Sequence, residues 1–317
     1  MPQLVIYIFY FFALVLLYMS YKSFTGGLSY LKFFRRELAK PRTEYTPYAS
    51  IFVPCRGLDQ NLEQNLEALF NQDYPGYEIV FIVDDERDEA AQVILRLMAA
   101  HTVNSRLVIA PKTSLSSQKV ENLREGVQHA AAESEIFVFV DSDARPGPEW
   151  LRALARPLQE QATGAATGYR WFISENGGFA SEMRSVWNAS IASALGENTK
   201  SNFCWGGSMA IRRDVFDCLD IRGRWSGTLS DDFTVTRVMK EAGLAIAFVP
   251  RALTASVEDC TLRELFEFTT RQMKITRVYS PDLWAAAFIG SGIFTLVFTW
   301  GILFRGLLQG RGAGRRP

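Results

Sequence analysis

Residues 136–146 read IFVFVDSDARP, an apolar run that ends in two aspartates, Asp141 and Asp143. A short apolar run that is closed by a turn signal at Pro146 predicts a strand buried inside a sheet. An aspartate-rich turn is by itself a common way of ending a strand. The alternative is that the two carboxylates hold a divalent metal, because Mg²⁺ and Mn²⁺ prefer oxygen ligands. The neighbouring segments decide between these two interpretations.

The segments around this run alternate between strand patterns and helix patterns. Strand patterns occupy residues 48–55, 77–85, 105–111 and 135–143, and helical spacing of apolar residues occupies 62–72, 89–101 and 118–132. Such alternation predicts an α/β fold with a mostly parallel sheet and helices on both of its faces. In sheets of this kind, ligands bind beyond the carboxyl ends of the strands.

The predicted strand ends gather charged residues. They carry Pro54 and Arg56, then Asp84 and Asp85, then Lys112, and finally Asp141 and Asp143. No glycine-rich phosphate loop of the GxGxxG or GxxxxGK[ST] type occurs, which argues against dinucleotide-binding dehydrogenases and P-loop enzymes. The only histidines, His101 and His129, lie in polar helical patterns, so the expected general base is a carboxylate.

Composition limits the possible partners of the chain. Among 317 residues, Lys plus Arg and Asp plus Glu are both 34, so the formal net charge is zero and no nucleic-acid partner is expected. The four cysteines have irregular spacing, which is typical of free thiols in a reducing compartment.

Two uncharged apolar segments lie at 4–19 and 283–304. We predict a transmembrane anchor at 1–22, a basic juxtamembrane linker at 23–47, a catalytic domain at 48–282, a membrane segment at 283–304 and a basic tail at 305–317. A cleaved signal peptide is the weaker alternative for the first segment, because it has no basic n-region and no A-x-A site. The basic residues that follow it place the domain on the cytosolic side of the inner (cytoplasmic) membrane.

The C-terminal segments leave two choices open. Residues 283–304 either span the bilayer or form a re-entrant hairpin, because the Gly-Ser-Gly at 290–292 would allow a break and a single crossing would put a basic tail outside. Residues 262–279 form an amphipathic basic pattern, which fits either an interface helix on the bilayer or an ordinary surface helix.

Transfer from a nucleotide diphosphate requires metal-binding carboxylates, a group that recognises the base, a cation for the phosphates and a general base. The candidates are Asp141 and Asp143 for the metal, Asp84 or Asp85 for the nucleobase, Lys119 for the phosphates, and Asp231 or Asp232 for proton transfer. Each signal is weak when it is taken alone, since an Asp pair at a helix start is usually an N-cap.

The order of these motifs is more specific, and it resembles the family 2 glycosyltransferases of GT-A (nucleotide-diphospho-sugar transferase) fold. The nearest branch is membrane-bound and includes ceramide glucosyltransferases and bacterial lipid glycosyltransferases. The resemblance covers about residues 48–280 and rests on IFVPCRG (51–57), QDYPGYEIVFIVDD (72–85), SQKVENL (117–123), FVDSDARPGPEWL (139–151), CWGGSMAIRRDVF (204–216) and GTLSDDFTVTRVMKEAGL (227–244).

The resemblance implies a role for each matching residue. Asp84 resembles the uracil-binding aspartate, and Asp85, Pro54 and Arg56 belong to the same nucleotide site. Lys119 matches the lysine near the diphosphate, and Asp141 and Asp143 match the D-x-D motif for nucleotide and metal. Asp232 matches the catalytic base, Asp231 replaces the usual Glu before it, and Gly206 and Gly207 match the turn beside the donor sugar.

One motif departs from the family pattern. The family often carries Q/R-x-x-R-W, and the matching stretch is Arg271-Gln272-Met273-Lys274-Ile275. Arg271, Gln272 and Lys274 remain candidates for the acceptor or diphosphate site. Ile275 cannot offer the stacking face that a Trp gives to an acceptor sugar, so an apolar acceptor already in the membrane fits better.

The sequence therefore predicts an inverting, metal-dependent enzyme that moves a hexose from a UDP-sugar, with glucose as the first choice, to a lipid hydroxyl. A UDP-N-acetylglucosamine-using transferase of lipid-linked or polymeric saccharides is an alternative. A catalytically inactive scaffold of the same fold is another. A phosphohydrolase of the haloacid dehalogenase type is the least favoured, because Ala-Arg-Pro follows the D-x-D where Thr or Val is expected.

Overall fold

The structure is a computed structural model that describes the backbone of residues 2–313 and the side chains of residues 3–303. The residues of the predicted basic tail at 305–317 therefore have side chains outside the described part. The chain divides into two compact units. One holds the terminal helical segments, up to Leu31 and from Phe266 onward, and the other comprises Lys32–Leu265.

The described residues contain eleven α-helices and nine strands, besides three short 3₁₀ helices. The helices are α1 (Pro2–Leu38), α2 (Leu62–Phe70), α3 (Glu89–Ala100), α4 (Gln118–Gly126), α5 (Trp150–Ala155), α6 (Phe179–Ala192), α7 (Arg213–Cys218), α8 (Ile221–Arg224), α9 (Asp231–Glu241), α10 (Leu262–Tyr279) and α11 (Pro281–Ala313). The strands are β1 (Ala49–Pro54), β2 (Tyr77–Val83), β3 (Asn104–Ile109), β4 (Ile136–Val140), β5 (Thr163–Thr167), β6 (Arg170–Ile173), β7 (Ser208–Arg212), β8 (Ala245–Phe248) and β9 (Thr254–Val257).

Seven strands form the central sheet in the order β3-β2-β1-β4-β7-β5-β8, and β7 is antiparallel to both of its neighbours. The parallel run β3-β2-β1-β4 confirms the predicted α/β class. The antiparallel pairing sets Val140, the last residue of β4, opposite Ser208, the first residue of β7. The residues just after β4 and those just before β7 therefore meet at one edge of the sheet.

The sheet is buried on both faces, as its near-continuous apolar strands predict. Alternate residues of β1 point to opposite sides, with Ile51 packed beneath α2, α3 and α5, and Phe52 packed beneath α4 and α7–α9. Trp150 of α5 and Trp225, which follows α8, are fully buried on these two faces. This packing fixes the strand ends that carry the candidate site residues.

A second, two-stranded sheet pairs β6 with β9 in parallel. The chain enters it from β5 through Gly168, where a Cβ atom would lie 1.8 Å from the carbonyl oxygen of Ala252, so only glycine fits. The loop after β4 is tied to this small sheet, because Arg145 and Ala255 exchange backbone hydrogen bonds of 2.7 and 3.1 Å. The small sheet is thus joined to the D-x-D loop by its backbone.

Among the described residues, two helices are long and apolar enough to cross a membrane, over Gln3–Leu38 and Pro281–Leu303. The first, α1, continues to Leu38, well past the predicted end of the anchor at residue 22, so most of the predicted linker is helical. The second, α11, runs through residues 290–292 as one continuous helix, without the break that a re-entrant hairpin requires.

Candidate active site

The D-x-D loop and the glycine turn before β7 form the centre of the site. A Cβ atom on Gly207 would lie 2.7 Å from Oδ2 of Asp141 and 2.2 Å from the ring of Trp205. Both separations are far below van der Waals contact, so any larger residue would displace the carboxylate or the indole. The absence of a side chain at Gly207 is what lets the turn and Asp141 lie side by side.

Lys119 contacts one carboxylate of each acidic pair, Asp141 of the D-x-D loop and Asp231 of the Asp231-Asp232 pair. It lies in the first turn of α4, whose N-terminus is capped by the Ser117 hydroxyl. Its ammonium lies 2.7 Å from Oδ1 of Asp141 and 3.2 Å from Oδ1 of Asp231. Burial alone would lower the pKa of Lys119, but the carboxylates of Asp141 and Asp231 outweigh it and raise the pKa above its usual range. Lys119 is therefore a fixed positive charge.

Asp231 is the buried member of the second pair, with a side chain only 5% exposed. Burial raises its pKa to about 6, and the neighbouring Lys119 opposes that rise. Its Oδ2 meets no hydrogen-bond donor within the described residues. A Cβ on Gly206 would lie 2.0 Å from this oxygen, so Gly206 leaves the space that Asp231 occupies.

Asp232 is partly exposed and is held by three donors. Its Oδ1 accepts from the backbone N–H of Phe233 at 2.7 Å and from the Ser230 hydroxyl, and its Oδ2 accepts from the N–H of Gly206 at 3.3 Å. Ser230 also caps α9 by accepting from Phe233 N–H. Because Asp231 is enclosed, Asp232 is the carboxylate of this pair that can meet an incoming molecule.

Arg170 is a site residue that sequence reasoning missed. Its guanidinium lies 3.0 Å from Oδ2 and 3.1 Å from Oδ1 of Asp143, and 3.4 Å from Oδ2 of Asp141. The same group stacks on the rings of Trp205 and Phe172, with centroid distances of 5.1 and 5.2 Å. The available signal was a lone arginine at the start of the strand pattern in GYRWF (168–172).

The charges of the site do not cancel within the protein. Four carboxylates, of Asp141, Asp143, Asp231 and Asp232, face the two cations Lys119 and Arg170, which leaves a formal charge of −2 when all six groups are ionised. In the described part of the chain, no group of three or more His, Cys, Asp or Glu side chains is arranged to hold a metal. Mg²⁺ is nevertheless often bound by one or two carboxylates plus substrate phosphates, and the convergence of Asp141 and Asp143 on one cation fits that mode.

Residues 10–308 match the family model described as "Glycosyl transferase family 21". The chain belongs to that family. Ceramide glucosyltransferase 1 of Caenorhabditis elegans is 21% identical over 243 residues, covering 75% of this chain and 51% of that protein. An N-acetylglucosaminyltransferase of Rhizobium leguminosarum bv. viciae is 24% identical over 233 residues, covering 69% and 53%. The chain thus spans about half the length of these curated relatives.

The family 21 chain also has a counterpart among solved structures. The mannosyltransferase PcManGT from Pyrobaculum calidifontis, solved in complex with GDP-Man and Mn²⁺, superposes with a TM-score of 0.56 at 20% identity, over 84% of this chain and 74% of that one. This likeness confirms the GT-A fold. The match to family 21 and to ceramide glucosyltransferases confirms the resemblance seen in the motifs and changes the family number from 2 to 21.

The predicted nucleobase site of this family 21 protein lies at the ends of β1 and β2. Pro54 ends β1, Arg56 is exposed in the loop that follows, and Asp84 is partly buried directly after β2. The backbone N–H of Arg87 and then the Lys112 ammonium, 3.1 Å away, lower the pKa of Asp85. Strands β2, β1 and β4 are adjacent and parallel, so the residues that follow β1 and β2 lie at the same edge of the sheet as the D-x-D loop.

Arg271, Gln272 and Lys274 lie on α10 beyond Leu265 and so belong to the unit of the terminal helices. Their predicted roles at the acceptor or diphosphate stay predictions. α10 has the bounds that its amphipathic pattern predicts, Leu262–Tyr279, and none of its described side chains is buried. The proposed interface role of this family 21 helix is likewise untested.

Proposed function

We propose that this protein transfers a hexose from a UDP-sugar to the hydroxyl of a membrane lipid, with inversion at the anomeric carbon. The observation that carries the proposal is the network in which Lys119 bridges Asp141 and Asp231, while the adjacent Asp232 offers an accessible carboxylate beside Gly206. The family membership and the relatives named as ceramide glucosyltransferases support the same reaction class.

Asp232 is the proposed general base. Three hydrogen bonds fix its carboxylate, from Ser230, Phe233 N–H and Gly206 N–H, so its orientation is set before the acceptor arrives. It takes the proton from the lipid hydroxyl while the oxygen attacks the anomeric carbon in one displacement. A positioned base of this kind contributes about 10²- to 10⁴-fold in rate.

The leaving group is a nucleoside diphosphate, and its growing charge needs cationic partners. Lys119 is fixed and charged at the start of α4, where the helix dipole also favours an anion. Asp141 and Asp143 are the proposed holders of Mg²⁺ or Mn²⁺, which would offset the charge on the departing diphosphate. The excess of carboxylates over cations in the site favours the binding of such a cation.

The donor and acceptor are assigned from the sequence motifs. Asp84 is the proposed acceptor of a hydrogen bond from the uracil N–H, with Arg56 and Asp85 beside it. UDP-glucose is the first choice of donor because relatives include ceramide glucosyltransferases, and UDP-N-acetylglucosamine is the second because others are N-acetylglucosaminyltransferases. The lipid acceptor agrees with the two apolar helices, and we place the catalytic unit on the cytosolic face of the membrane.

Replacing Asp232 by Asn tests this assignment. The purified full chain in detergent is given a panel of UDP-sugars, Mn²⁺ and a lipid extract, and new glycolipids are measured by mass spectrometry. Asp232→Asn should lower transfer by at least about 10²-fold and keep UDP binding close to that of the wild type. Asp217→Asn is the matched control, because Asp217 is an exposed residue of α7 whose side chain, within the described part of the chain, makes a single long ion pair of 3.7 Å with Arg213.

Near-wild-type transfer by Asp232→Asn would show that Asp232 is not the base. A wild-type protein that binds UDP but neither transfers nor hydrolyses any UDP-sugar in Mn²⁺ would instead favour the inactive scaffold.

A further inference from the structure

We propose that Arg170 is an internal cation that occupies the divalent-metal position between Asp141 and Asp143 and is displaced when the metal enters. This inference rests on the metal assignment of the proposed function. It adds a residue that competes with the metal and so controls how tightly the site binds it. The guanidinium would then act as a positioning group for the D-x-D loop while no metal is bound.

Two cations already engage all four oxygens of the D-x-D carboxylates. Arg170 lies within 3.1 Å of both oxygens of Asp143 and 3.4 Å from Oδ2 of Asp141. Lys119 lies 2.7 Å from the remaining oxygen, Oδ1 of Asp141. A metal that binds these carboxylates is repelled by the two cations already there and competes with their charge-assisted hydrogen bonds, which are the strong kind. Arg170 is the partner that holds both carboxylates together.

The contacts that hold the backbone of Arg170 are separate from those that hold its guanidinium. Its carbonyl oxygen accepts from Asn188 of α6 at 2.8 Å, which fixes the strand. The guanidinium carbon lies over the rings of Trp205 and Phe172, 5.1 and 5.2 Å from their centroids, and these cation–π contacts use none of its N–H groups. Its Nε meets no hydrogen-bond partner within the described residues, so the hydrogen bonds of the guanidinium are made by its terminal nitrogens.

Displacement costs least when an anion is present to receive the arginine. A nucleoside diphosphate brings negative oxygens both to the metal and to the released guanidinium. We therefore expect Mn²⁺ to bind weakly to the nucleotide-free protein and more tightly in the presence of UDP. The two ligands become coupled through one side chain, and each should raise the affinity of the other by the same factor.

Binding of Mn²⁺ alone to the full chain in detergent, followed by the electron paramagnetic resonance signal of free Mn²⁺, tests this inference. Arg170→Gln should lower the Mn²⁺ dissociation constant by about tenfold, because the carboxylates lose their competing cation. Adding UDP should shrink the difference between this variant and the wild type. Arg170→Lys keeps the positive charge but loses the two parallel N–H contacts with the Asp143 carboxylate, so its Mn²⁺ affinity should lie between those of the wild type and Arg170→Gln.

Arg184→Gln is the matched control. Arg184 is as buried as Arg170 and also stacks on Phe172, with a centroid distance of 4.2 Å, but its carboxylate partner is Glu258, 3.2 Å away. This variant should leave Mn²⁺ affinity unchanged. A Mn²⁺ affinity in Arg170→Gln that equals or falls below that of the wild type overturns the proposal, as does an equal gain in Arg184→Gln.

A further variant tests the assignment of the metal site by itself, apart from the role of Arg170. Asp143→Asn should lose Mn²⁺ binding. If it binds Mn²⁺ as the wild type does, the metal assignment itself fails. If it loses binding while Arg170→Gln gains none, the role of Arg170 alone is wrong. Should Arg170→Gln unfold at the assay temperature, the Arg170→Lys affinity decides, since no gain over the wild type there also overturns the proposal.

Discussion

Replacing Gly206 by Ala places one methyl group into the most crowded point of the site. The new Cβ would lie 2.0 Å from Oδ2 of Asp231, 2.9 Å from its Cγ and 3.0 Å from the Lys119 ammonium. Asp231 is enclosed, so its carboxylate cannot swing into solvent. Overpacking a filled site of this kind costs about 1 to 3 kcal/mol. For a catalytic unit of this size, that lowers the thermal midpoint by about 2 to 12 °C.

A double-mutant cycle isolates the predicted clash. In an Asp231→Ala background the oxygen that meets the new Cβ is gone, so Gly206→Ala should cost far less there than in the wild type. The difference is the coupling energy, and we expect about 1 to 2 kcal/mol. Gly196→Ala is the control, because nothing lies within 4 Å of its added Cβ.

Thermal unfolding of the detergent-purified chain, followed by tryptophan fluorescence, measures all four members of the cycle and the control. UDP binding is measured alongside, and Gly206→Ala should weaken it because Lys119 is pushed from its place. Equal destabilisation by Gly206→Ala in the presence and absence of the Asp231 side chain would refute the reasoning, as would a cost no larger than that of Gly196→Ala.

Two further predictions concern charge and stability. The fold raises the pKa of Asp231 to about 6, mainly by burial, so the folded protein binds this proton more tightly than the unfolded chain and stability falls as pH rises from about 4 to 6. Asp231→Asn should remove about 3 kcal/mol of that pH dependence, and thermal midpoints between pH 4 and 7 that keep the wild-type slope would contradict this. Glu78 is fully buried and accepts from Ser50 and Arg106, each at 2.7 Å, so Glu78→Ala should cost about 1 to 3 kcal/mol by the same thermal assay, because the buried Ser50 hydroxyl loses its acceptor. Glu63→Ala, at an exposed residue, should cost under about 0.5 kcal/mol, and similar losses in both would count against the buried network.

The sheet and its functional edge were predictable because the pattern is local. Each buried strand is a short apolar run, and each is followed by charged residues, so Asp84 and Asp141 could be placed at one edge without any coordinates. The family resemblance then pointed to Gly206 and Gly207. The structure adds the reason for those glycines, since the carboxylates of Asp231 and Asp141 occupy the space that their side chains would need.

Arg170 could not be found in the same way. It reaches the D-x-D loop because β6 leaves the main sheet and pairs with β9, whose first residue, Thr254, lies opposite Arg170. The residue pattern of β6 or of β9, each only four residues long, does not indicate that these two distant segments pair. Likewise, the predicted anchor ends at residue 22, yet α1 continues through Gly26 and Gly27 to Leu38, although glycine weakens helices. Pairing across long stretches of chain and the continuation of a helix through unfavourable residues are properties of the whole fold.

The length of α1 has a consequence for where the protein resides. Residues 3–21 carry no charge, and as a helix they rise about 28 Å, close to the roughly 30 Å of an average hydrocarbon core. In the proposed membrane arrangement the hydrophobic length of α1 therefore matches a bilayer of ordinary thickness. A much thicker or thinner bilayer would have to deform or tilt the helix, at a cost of fractions of a kcal/mol per Å. Bilayer thickness would then contribute to sorting the protein among membranes.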